Sequence, residues 1–358
     1  MSSVKNSWTE NQNQQKGNAM ASKIGNRRLL LFILVIVAGL MFGWFTTAEH
    51  IRARGLPYFQ DGNQVQRHQA VLDGNAGNPW QYRVLSVYVV EGLIHSFEEY
   101  GAPYHTAISF ILFRAFVDIA IFLVSYLYFR KLGLSTIHAL IGMSLLAWGM
   151  SYAHYDSDLQ LSTYLDVLFY LLAGVCILYG RPIWIIPITF FAALNRETSG
   201  LIPLLFLFSF LNKETISKGF KNHRRDMAIF GAAFTLYVSV FFLLRNHYGP
   251  QTLFIPYEHH PGFDLLRFNL ARYVTWDRLF ATLGIIPLLA VIGYQKWTEQ
   301  LKIFFWVIVP IWFLIHLFGS VIAEARLFLV PYAMVFIPGA LLFAQQSVAT
   351  DRNSASSS

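Results

Sequence analysis

Cysteine is nearly absent from this chain, and charged residues are scarce. The only cysteine is Cys176, which lies inside an apolar segment. A disulfide framework and a cysteine metal site are therefore both excluded. Charged residues make up 13% of the chain and hydrophobic residues 55%, whereas a soluble domain is about a quarter charged. A soluble fold of 358 residues could not bury so much apolar surface, so the composition predicts an integral membrane protein.

The sequence signatures of several common activities are also missing. The chain contains no Gly-Lys-Ser/Thr phosphate loop, no Gly-x-Ser-x-Gly and no His-Glu-x-x-His, which excludes the ATPase, hydrolase and metalloprotease classes that use them. The net charge of +7 is not gathered along a groove or stacking platform, so no nucleic-acid partner is predicted. The run Glu258-His259-His260 has no third spaced ligand and indicates a metal only weakly.

Lysine is missing from every loop on one predicted side of the membrane. All of the lysines lie in the N-terminal tail or in three short loops between apolar segments: Lys5, Lys16, Lys23, Lys131, Lys213, Lys218, Lys221, Lys296 and Lys302. An excess of lysine marks the cytoplasmic face, so both termini are predicted to be cytoplasmic. The size of the chain fits a bacterial inner (plasma) membrane, with the endoplasmic reticulum as the alternative.

A window of about 20 apolar residues predicts an all-α fold, a polytopic membrane helical bundle with ten transmembrane segments. These are 29–47, 104–129, 136–153, 162–180, 182–194, 199–212, 226–245, 278–294, 303–319 and 327–345. The pair 182–194 and 199–212 is short, and it predicts either two crossings or a re-entrant hairpin with a polar apex below the membrane surface.

The same pattern divides the chain into a single membrane domain and two polar tails. The parts are a disordered cytoplasmic tail at 1–28, the membrane domain at 29–346 and a disordered tail at 347–358. Two long external segments, 48–103 and 246–277, belong to the membrane domain. Residues 82–99 in the first segment have apolar residues at helical spacing and predict an amphipathic helix at the membrane interface.

Two polar groups on the lysine-free side stand out at predicted membrane depth. Asn195-Arg196-Glu197-Thr198 joins the two short segments, and Glu324-Ala325-Arg326 begins the last one. Charges at this depth are costly unless they are paired or used in function. The structural alternatives are a local ion pair that caps the hairpin and an interfacial anchor.

Other external residues are candidates for phosphate, metal or proton chemistry. Tyr82 and Arg83 open the amphipathic stretch, where an arginine can bind a phosphate through two parallel hydrogen bonds. Asp156 and Asp158 form an Asp-x-Asp pattern that could hold a divalent cation such as Mg or Mn, or simply be a solvated loop. The isolated carboxylates Asp61 and Asp73, together with Glu197, are candidate catalytic acids or bases.

Four polar residues inside the apolar segments are expected to be structural. Arg114 and Asp118 lie four residues apart and predict an intrahelical ion pair facing the bundle interior. Asp166 and His316 are lone polar residues in apolar segments, and a satisfied core contact is expected for each.

The topology and four short motifs resemble the GT-C superfamily of polytopic glycosyltransferases. The run Glu324-Ala325-Arg326-Leu327-Phe328-Leu329-Val330-Pro331 is similar to the Glu-x-Arg-Phe-Leu-x-x-Pro run in late helices of lipid-linked mannosyltransferases. Three other segments resemble bacterial membrane proteins allied to that group: Gln81-Tyr82-Arg83-Val84-Leu85, Tyr155-Asp156 and Leu194-Asn195-Arg196-Glu197-Thr198. The chain departs from the superfamily in its first external segment, where the acids are isolated instead of lying together just after the first helix.

The resemblance implies transfer of a sugar from a polyprenyl-phosphate-linked donor, with membrane lipid around the site, on the non-cytoplasmic face. Asp61 is then the expected base, with Asp73 the close alternative. Arg83, Arg196 and Arg326 are the expected phosphate ligands. Glu197 and Glu324 are expected to orient these arginines or to bind sugar hydroxyls.

Three other functions remain open on the sequence alone. An envelope polysaccharide polymerase or ligase has a similar topology and also handles polyprenyl-linked sugars. A transporter of lipid-linked sugars or small solutes would place charges near the midplane of several helices, where this chain has few. A non-enzymatic scaffold would have scattered polar groups that only cap helices.

Overall fold

The computed structural model describes residues 29–154, 160–211 and 223–357. Within these ranges the chain is helical and forms no named strand. In chain order the α-helices are α1 Leu29–Arg54, α2 Pro57–Gln60, α3 Asn63–Leu72, α4 Val84–Glu99, α5 His105–Lys131, α6 Thr136–Tyr152, α7 Gln160–Leu178, α8 Ile185–Asn195, α9 Leu201–Phe210, α10 Arg224–Tyr248, α11 Phe263–Ala271, α12 Tyr273–Leu283, α13 Ile286–Ile292, α14 Glu299–Gly319 and α15 Ile337–Ser357.

Six helical segments of the described chain are long and apolar enough to cross a membrane: α1, α5, Leu161–Leu178 of α7, α10, α14 and the last segment, Ala325–Ser347. The prediction of a helical membrane bundle is confirmed. The other predicted spans also form helices, but α6, α8 and α9 are shorter, and α12 and α13 meet at an angle of 68°. The described part therefore has six candidate spans, or seven with the bent pair, and ten crossings remain a prediction.

Most of the predicted external segment 48–103 is helical. Helix α1 continues to Arg54, and α2, α3 and α4 follow it. Helix α4 coincides with the predicted amphipathic stretch, and it buries Val84, Ser86 and Val90 while Tyr88 is exposed. The helical prediction for this stretch is therefore confirmed, because residues four apart share the buried face.

The second external segment, 246–277, is attached to the first by backbone hydrogen bonds. The Asn78 amide donates to the Thr252 carbonyl over 2.8 Å, and the Phe254 amide donates to the Asn78 carbonyl over 3.0 Å. Gly77 makes this approach possible, since a Cβ there would lie 3.1 Å from the Thr252 carbonyl oxygen. The two segments therefore lie side by side at one end of the bundle.

Two of the lysine-bearing connections lie together at another end of the bundle. The Ser135 amide donates to the side chain of Gln345 over 2.8 Å, just after Lys131 in the chain. The side chain of the next residue, Gln346, donates to the Lys296 carbonyl over 3.0 Å. Two connections that are far apart in sequence thus meet at the end of α15. Such proximity is expected of connections that lie on one lysine-rich face.

Helix α1 packs against α5 through two glycines one helical turn apart. A Cβ on Gly39 would lie 2.7 Å from Cδ2 of Leu123, and a Cβ on Gly43 would lie 2.8 Å from the Ile119 backbone nitrogen. Small residues at this spacing let membrane helices approach closely. Most of the rest of α1 is exposed on the bundle surface, so this contact is central to its docking.

We expect Gly43→Ala to lower the free energy of unfolding by about 1–3 kcal/mol, because the added methyl group meets helix backbone that cannot move aside. Gly92→Ala is the matched control, since a Cβ at this glycine of α4 meets nothing within 4 Å. The control should be neutral or up to about 1 kcal/mol more stable because alanine is the better helix former. Denaturant titration of both variants measures the difference, and equal effects would show that the α1–α5 approach is loose.

The break between α8 and α9 places the apex residues. Arg196 is extended, with φ −157° and ψ 151°, and the chain re-enters a helix through the 3-10 turn Glu197–Gly200. Gly200 lets the Tyr237 ring of α10 lie against this turn, since a Cβ there would be 2.7 Å from the ring. Tyr237 then donates to the Glu197 carbonyl over 2.8 Å. The turn is thereby fixed between α7 and α10.

The last membrane segment begins irregularly and ends later than expected. It starts with the 3-10 turn Ala325–Phe328, and the π-helical turn Tyr332–Phe336 precedes α15. Helix α15 is drawn as far as Ser357, and a disordered tail at 347–358 stays a prediction. No proline or glycine follows Gly339 to end the helix.

Candidate functional site

The buried carboxyl of Asp166 organises the apex between α8 and α9. Asn195 donates from Nδ2 to the Ser162 carbonyl over 2.7 Å and to Asp166 Oδ1 over 3.3 Å. Arg196 Nη1 lies 3.4 Å from Asp166 Oδ2, and the Thr198 hydroxyl donates to the same oxygen over 3.0 Å. The Asp166 and Arg196 side chains are 0% and 4% exposed. A buried ion pair with these added hydrogen bonds fixes the geometry of the apex.

Glu197 points away from Asp166 and contacts other residues, because the extended backbone at Arg196 separates the two side chains. Arg83 donates to Glu197 Oε2 from Nη2 over 3.1 Å and from Nε over 3.3 Å. Arg245 Nη2 of α10 lies 3.8 Å from Glu197 Oε1. Glu197 therefore links the first external segment to α10, and its carboxylate orients two arginines.

Arg326 brings the start of the last segment to the same place. Its guanidinium is ion-paired with Glu324, and its Nη1 donates to the Thr163 hydroxyl over 2.9 Å. Arg196 Nη1 lies 3.5 Å from the same hydroxyl oxygen. Thr163 thus stands between two buried guanidinium groups on the first turn of α7.

These residues form what we call the arginine network: Arg83, Arg196, Arg245, Arg326, Asp166, Glu197 and Glu324. Among the described members of the network, four guanidinium groups minus three carboxylates leave a formal charge of +1. Arg196 Nε and Asn195 Oδ1 are buried and have no hydrogen-bond partner among the described residues. Excess positive charge and unpaired polar atoms in a buried place suit an anionic, hydrogen-bonding ligand.

A cavity of about 220 Å³ lies against the network. Arg83 and Ser162 belong to its wall as well as to the network region. The polar part of the wall is Gln64, Arg67, His68, Arg83, Ser86 and Ser162. Its aromatic part is Trp80, Phe110 and Phe254, and the Arg83 guanidinium lies 4.5 Å from the Trp80 ring centre.

Tyr82 is buried away from this cavity. Its hydroxyl donates to the Gly249 carbonyl over 2.9 Å, and the Arg245 guanidinium lies 4.3 Å from its ring centre. The residue predicted to bind substrate therefore supports Arg245 and fixes the end of α10. It does not line the cavity.

The two predicted external carboxylates are not part of this arrangement. Asp61 is exposed at the end of α2. Asp73 is exposed after α3 and accepts a hydrogen bond from Gln69 over 2.9 Å. Neither contacts the arginine network or lines the cavity. The helices between α1 and α4 direct both carboxylates towards solvent.

The predicted cation ligands Asp156 and Asp158 lie outside the described residues. Among the described residues no group of three His, Cys, Asp or Glu side chains is suitable for a metal. The carboxylates of the arginine network are each engaged by guanidinium groups, so these residues do not fit a cation. Of the Glu258-His259-His260 run, His259 lies 3.1 Å from Asp264, and this hydrogen bond lowers the pKa of the Asp264 carboxyl.

A second polar cluster lies inside the bundle between α1 and α5. Arg114 Nε is 3.4 Å from Asp118 Oδ2, which confirms the predicted ion pair. Thr46 and Thr47 donate to the same carboxylate oxygen over 3.0 Å and 3.2 Å, and His50 hydrogen-bonds Arg114. This cluster joins α1 to α5 next to the glycine contact.

Some residues at the site were not expected from the sequence. Asp166 has the satisfied core contacts that the sequence predicts, but the sequence does not indicate that it is the centre of the apex. The available signal is that Ser162 and Thr163 lie four and three residues before Asp166, on the same helical face. His316 does have the expected core contacts, since its Nδ1 lies 2.8 Å from the Trp312 carbonyl and its ring stacks on Trp312.

Comparison of the chain with protein-family models, curated proteins and solved structures found no match.

Proposed function

We propose that this protein is a membrane glycosyltransferase of GT-C type with ten crossings. It moves a sugar from a polyprenyl-phosphate-linked donor to an acceptor hydroxyl on the non-cytoplasmic, lysine-free face. The observation that carries the proposal is the meeting of Arg83, Arg196 and Arg326 beside a small cavity. These arginines come from three distant parts of the chain, and helix capping alone would not bring them together.

The phosphate of the donor fits the arginine network. Its guanidinium groups attract an anion, and the burial of Arg196 and Arg326 strengthens that attraction. Guanidinium groups bind phosphate through paired hydrogen bonds. Glu197 and Glu324 hold their arginines in fixed orientations, so little side-chain freedom is lost when the phosphate binds.

The sugar fits the cavity, and the lipid fits the apolar surface next to it. A volume of about 220 Å³ is smaller than the 300–1,000 Å³ typical of pockets for drug-sized ligands, which suits a single sugar ring. Trp80 offers a flat face, and Gln64 and Ser162 offer hydrogen bonds. The neighbouring Leu253, Phe254 and Ile255 are 47%, 50% and 38% exposed, and this apolar surface accepts the polyprenyl chain.

The chemical step follows from this placement. An acceptor hydroxyl oxygen attacks the anomeric carbon and forms the new glycosidic bond. The bond from that carbon to the phosphate oxygen breaks, and its electron pair stays on the lipid phosphate. Arg83 and Arg196 stabilise the charge that develops there. Glu197 is engaged by Arg83 and Arg245, so its role is to orient them, and a separate base removes the hydroxyl proton.

The test is consumption of a defined donor by purified protein in liposomes. A panel of polyprenyl-phosphate hexoses is supplied with a soluble sugar acceptor, and released polyprenyl phosphate is measured. Release by the wild type, and its loss in an Arg196→Lys variant, would support the proposal. If folded wild-type protein neither consumes these donors nor is stabilised by polyprenyl phosphate in thermal unfolding, the proposal is wrong.

Product length separates a transferase from an envelope polysaccharide polymerase or ligase. Both use the same class of donor, so donor consumption alone does not distinguish them. The cavity of about 220 Å³ beside the network is the size of one sugar ring, which favours one addition for each binding event. Mass spectrometry of the product should show the acceptor extended by one sugar, whereas a ladder of lengths would favour the polymerase.

A carrier is the second candidate, and the buried Arg114–Asp118 pair favours it. Ionisable side chains inside membrane helices often mark a transport path. A carrier would move a fluorescent lipid-linked sugar between the leaflets of a vesicle without consuming it. Such movement in the absence of donor turnover would replace the transferase proposal.

We expect removal of divalent cations to lower transfer more than tenfold if Asp156 and Asp158 hold Mg or Mn, because a metal contributes several kcal/mol of charge stabilisation. The measurement is transfer with EDTA and after adding Mg or Mn back. A double Asp156→Asn, Asp158→Asn variant should be inactive with either metal. Asp264→Asn is the control, as its exposed carboxyl pairs only with the His259–His260 region. Full activity in EDTA would remove the metal from the proposal.

A further inference from the structure

A histidine at the cavity contacts a glutamate behind it in the way that a catalytic base contacts its orienting carboxylate. His68 of α3 lines the cavity, and its side chain is 4% exposed. Its Nε2 lies 2.7 Å from Glu91 Oε2 of α4. The ring also packs edge-on against Phe110, with centres 5.3 Å apart. The imidazole is therefore fixed from two sides.

The contact with Glu91 determines which ring nitrogen carries the hydrogen. An ionised carboxylate only accepts hydrogen bonds, so a neutral His68 donates from Nε2 and its Nδ1 keeps the lone pair. No described residue hydrogen-bonds Nδ1. A carboxylate behind an imidazole holds the useful tautomer and stabilises the imidazolium that forms on proton uptake.

The cavity places this imidazole where the proposed reaction needs a base. Arg83, which we assign to the donor phosphate, lines the same cavity as His68. Asp61 and Asp73 are exposed and outside the cavity, and Glu197 is engaged by two arginines. His68 is thus better placed than the three carboxylates that the sequence suggested.

We propose that His68 is the catalytic base of the transfer and that Glu91 is its positioning residue, an inference that rests on the proposed function. The acceptor hydroxyl gives its proton to His68 Nδ1 while its oxygen bonds to the anomeric carbon. The electron pair of the broken bond leaves with the lipid phosphate. Imidazolium then returns the proton to solvent after the products depart, so the residue is restored for each cycle.

The test compares His68→Gln with His95→Gln in the donor-consumption assay. His95 contacts the other oxygen of Glu91 over 3.0 Å but is 66% exposed, so it is a matched control. We expect His68→Gln to lower kcat about 10²–10⁴-fold with little change in KM for the donor. His95→Gln should change kcat less than twofold, and Glu91→Gln should lower kcat at least tenfold.

Rescue by imidazole separates a catalytic role from a structural one. Imidazole added to His68→Gly should raise the transfer rate of this variant at least tenfold. A residue needed only for packing would not be rescued in this way. Binding of polyprenyl phosphate, measured as the rise in unfolding temperature that it causes, should be unchanged in His68→Gln. An active wild type with a fully active His68→Gln overturns the base assignment and leaves the transferase standing. A folded wild type that consumes no donor overturns both.

Discussion

Arg196→Lys should lower kcat for sugar transfer about 10²–10³-fold, the usual cost of losing one group that stabilises charge in the transition state. Arg196 lies between Asp166 and Thr163 at the apex, with one buried nitrogen unpaired. The Asp166 carboxylate favours the charged form of a lysine placed beside it, so the fold should survive. Lysine lacks the planar fork that binds phosphate oxygens in pairs. Single-turnover kinetics with a polyprenyl-phosphate hexose measure the effect on the chemical step.

The matched control is Arg52→Lys. Arg52 pairs with Glu49 over 2.7 Å, but its side chain is 80% exposed, so the same substitution there should leave kcat unchanged. Thermal unfolding of both variants shows whether any loss of transfer comes from a damaged fold. A well-folded Arg196→Lys protein with wild-type kcat would contradict the assignment of Arg196 to the phosphate.

The use of arginine at this end, and of lysine at the other, has a physical reason. A lysine loses its proton readily when it is buried, whereas a guanidinium stays charged. A permanent cation in a buried place is therefore best supplied by an arginine, and it needs acids such as Asp166 and Glu197 to offset its burial. Lysines serve best in solvated loops, where they orient the protein in the membrane.

The sequence was informative about the site wherever a polar group interrupted an apolar segment. Asn195, Arg196 and Glu324 could be singled out because charge and amide groups at membrane depth are costly. The sequence predicts only that these residues and Arg83 lie on the same side of the membrane, and it does not predict their contacts. Alternating helix directions place residues at one end of a bundle, and the actual contacts depend on side-chain packing that periodicity does not encode.

The choice of base could not be predicted in the same way. The sequence favours Asp61 and Asp73 as the base because they follow the first helix. The turns around α2 and α3, however, direct both side chains to solvent. His68 lies between them in sequence, on the face of α3 that packs against α4 and α5. Its partner Glu91 is 23 residues away, so their relation depends on how two short helices pack.

Asp118→Ala should lower the free energy of unfolding by about 3–5 kcal/mol, because it leaves the buried Arg114 charge without its carboxylate. The Asp118 and Arg114 side chains are 0% and 4% exposed, and Thr46 and Thr47 of α1 also donate to Asp118. Loss of the carboxylate therefore weakens the docking of α1 as well. Denaturant titration in detergent measures the change. Glu49→Ala is the control, since its partner is exposed, and it should cost at most about 1 kcal/mol.

Replacing both partners tests what the pair is for. An Arg114→Met, Asp118→Leu double variant removes both charges and keeps similar volume, and such replacements of buried pairs are often neutral or stabilising. If the pair only joins α1 to α5, the double variant should recover stability and transfer sugar at the wild-type rate. A stable double variant without activity would assign the charges to function and favour the carrier. A loss below about 1 kcal/mol in Asp118→Ala would show that the ion pair contributes little to the bundle.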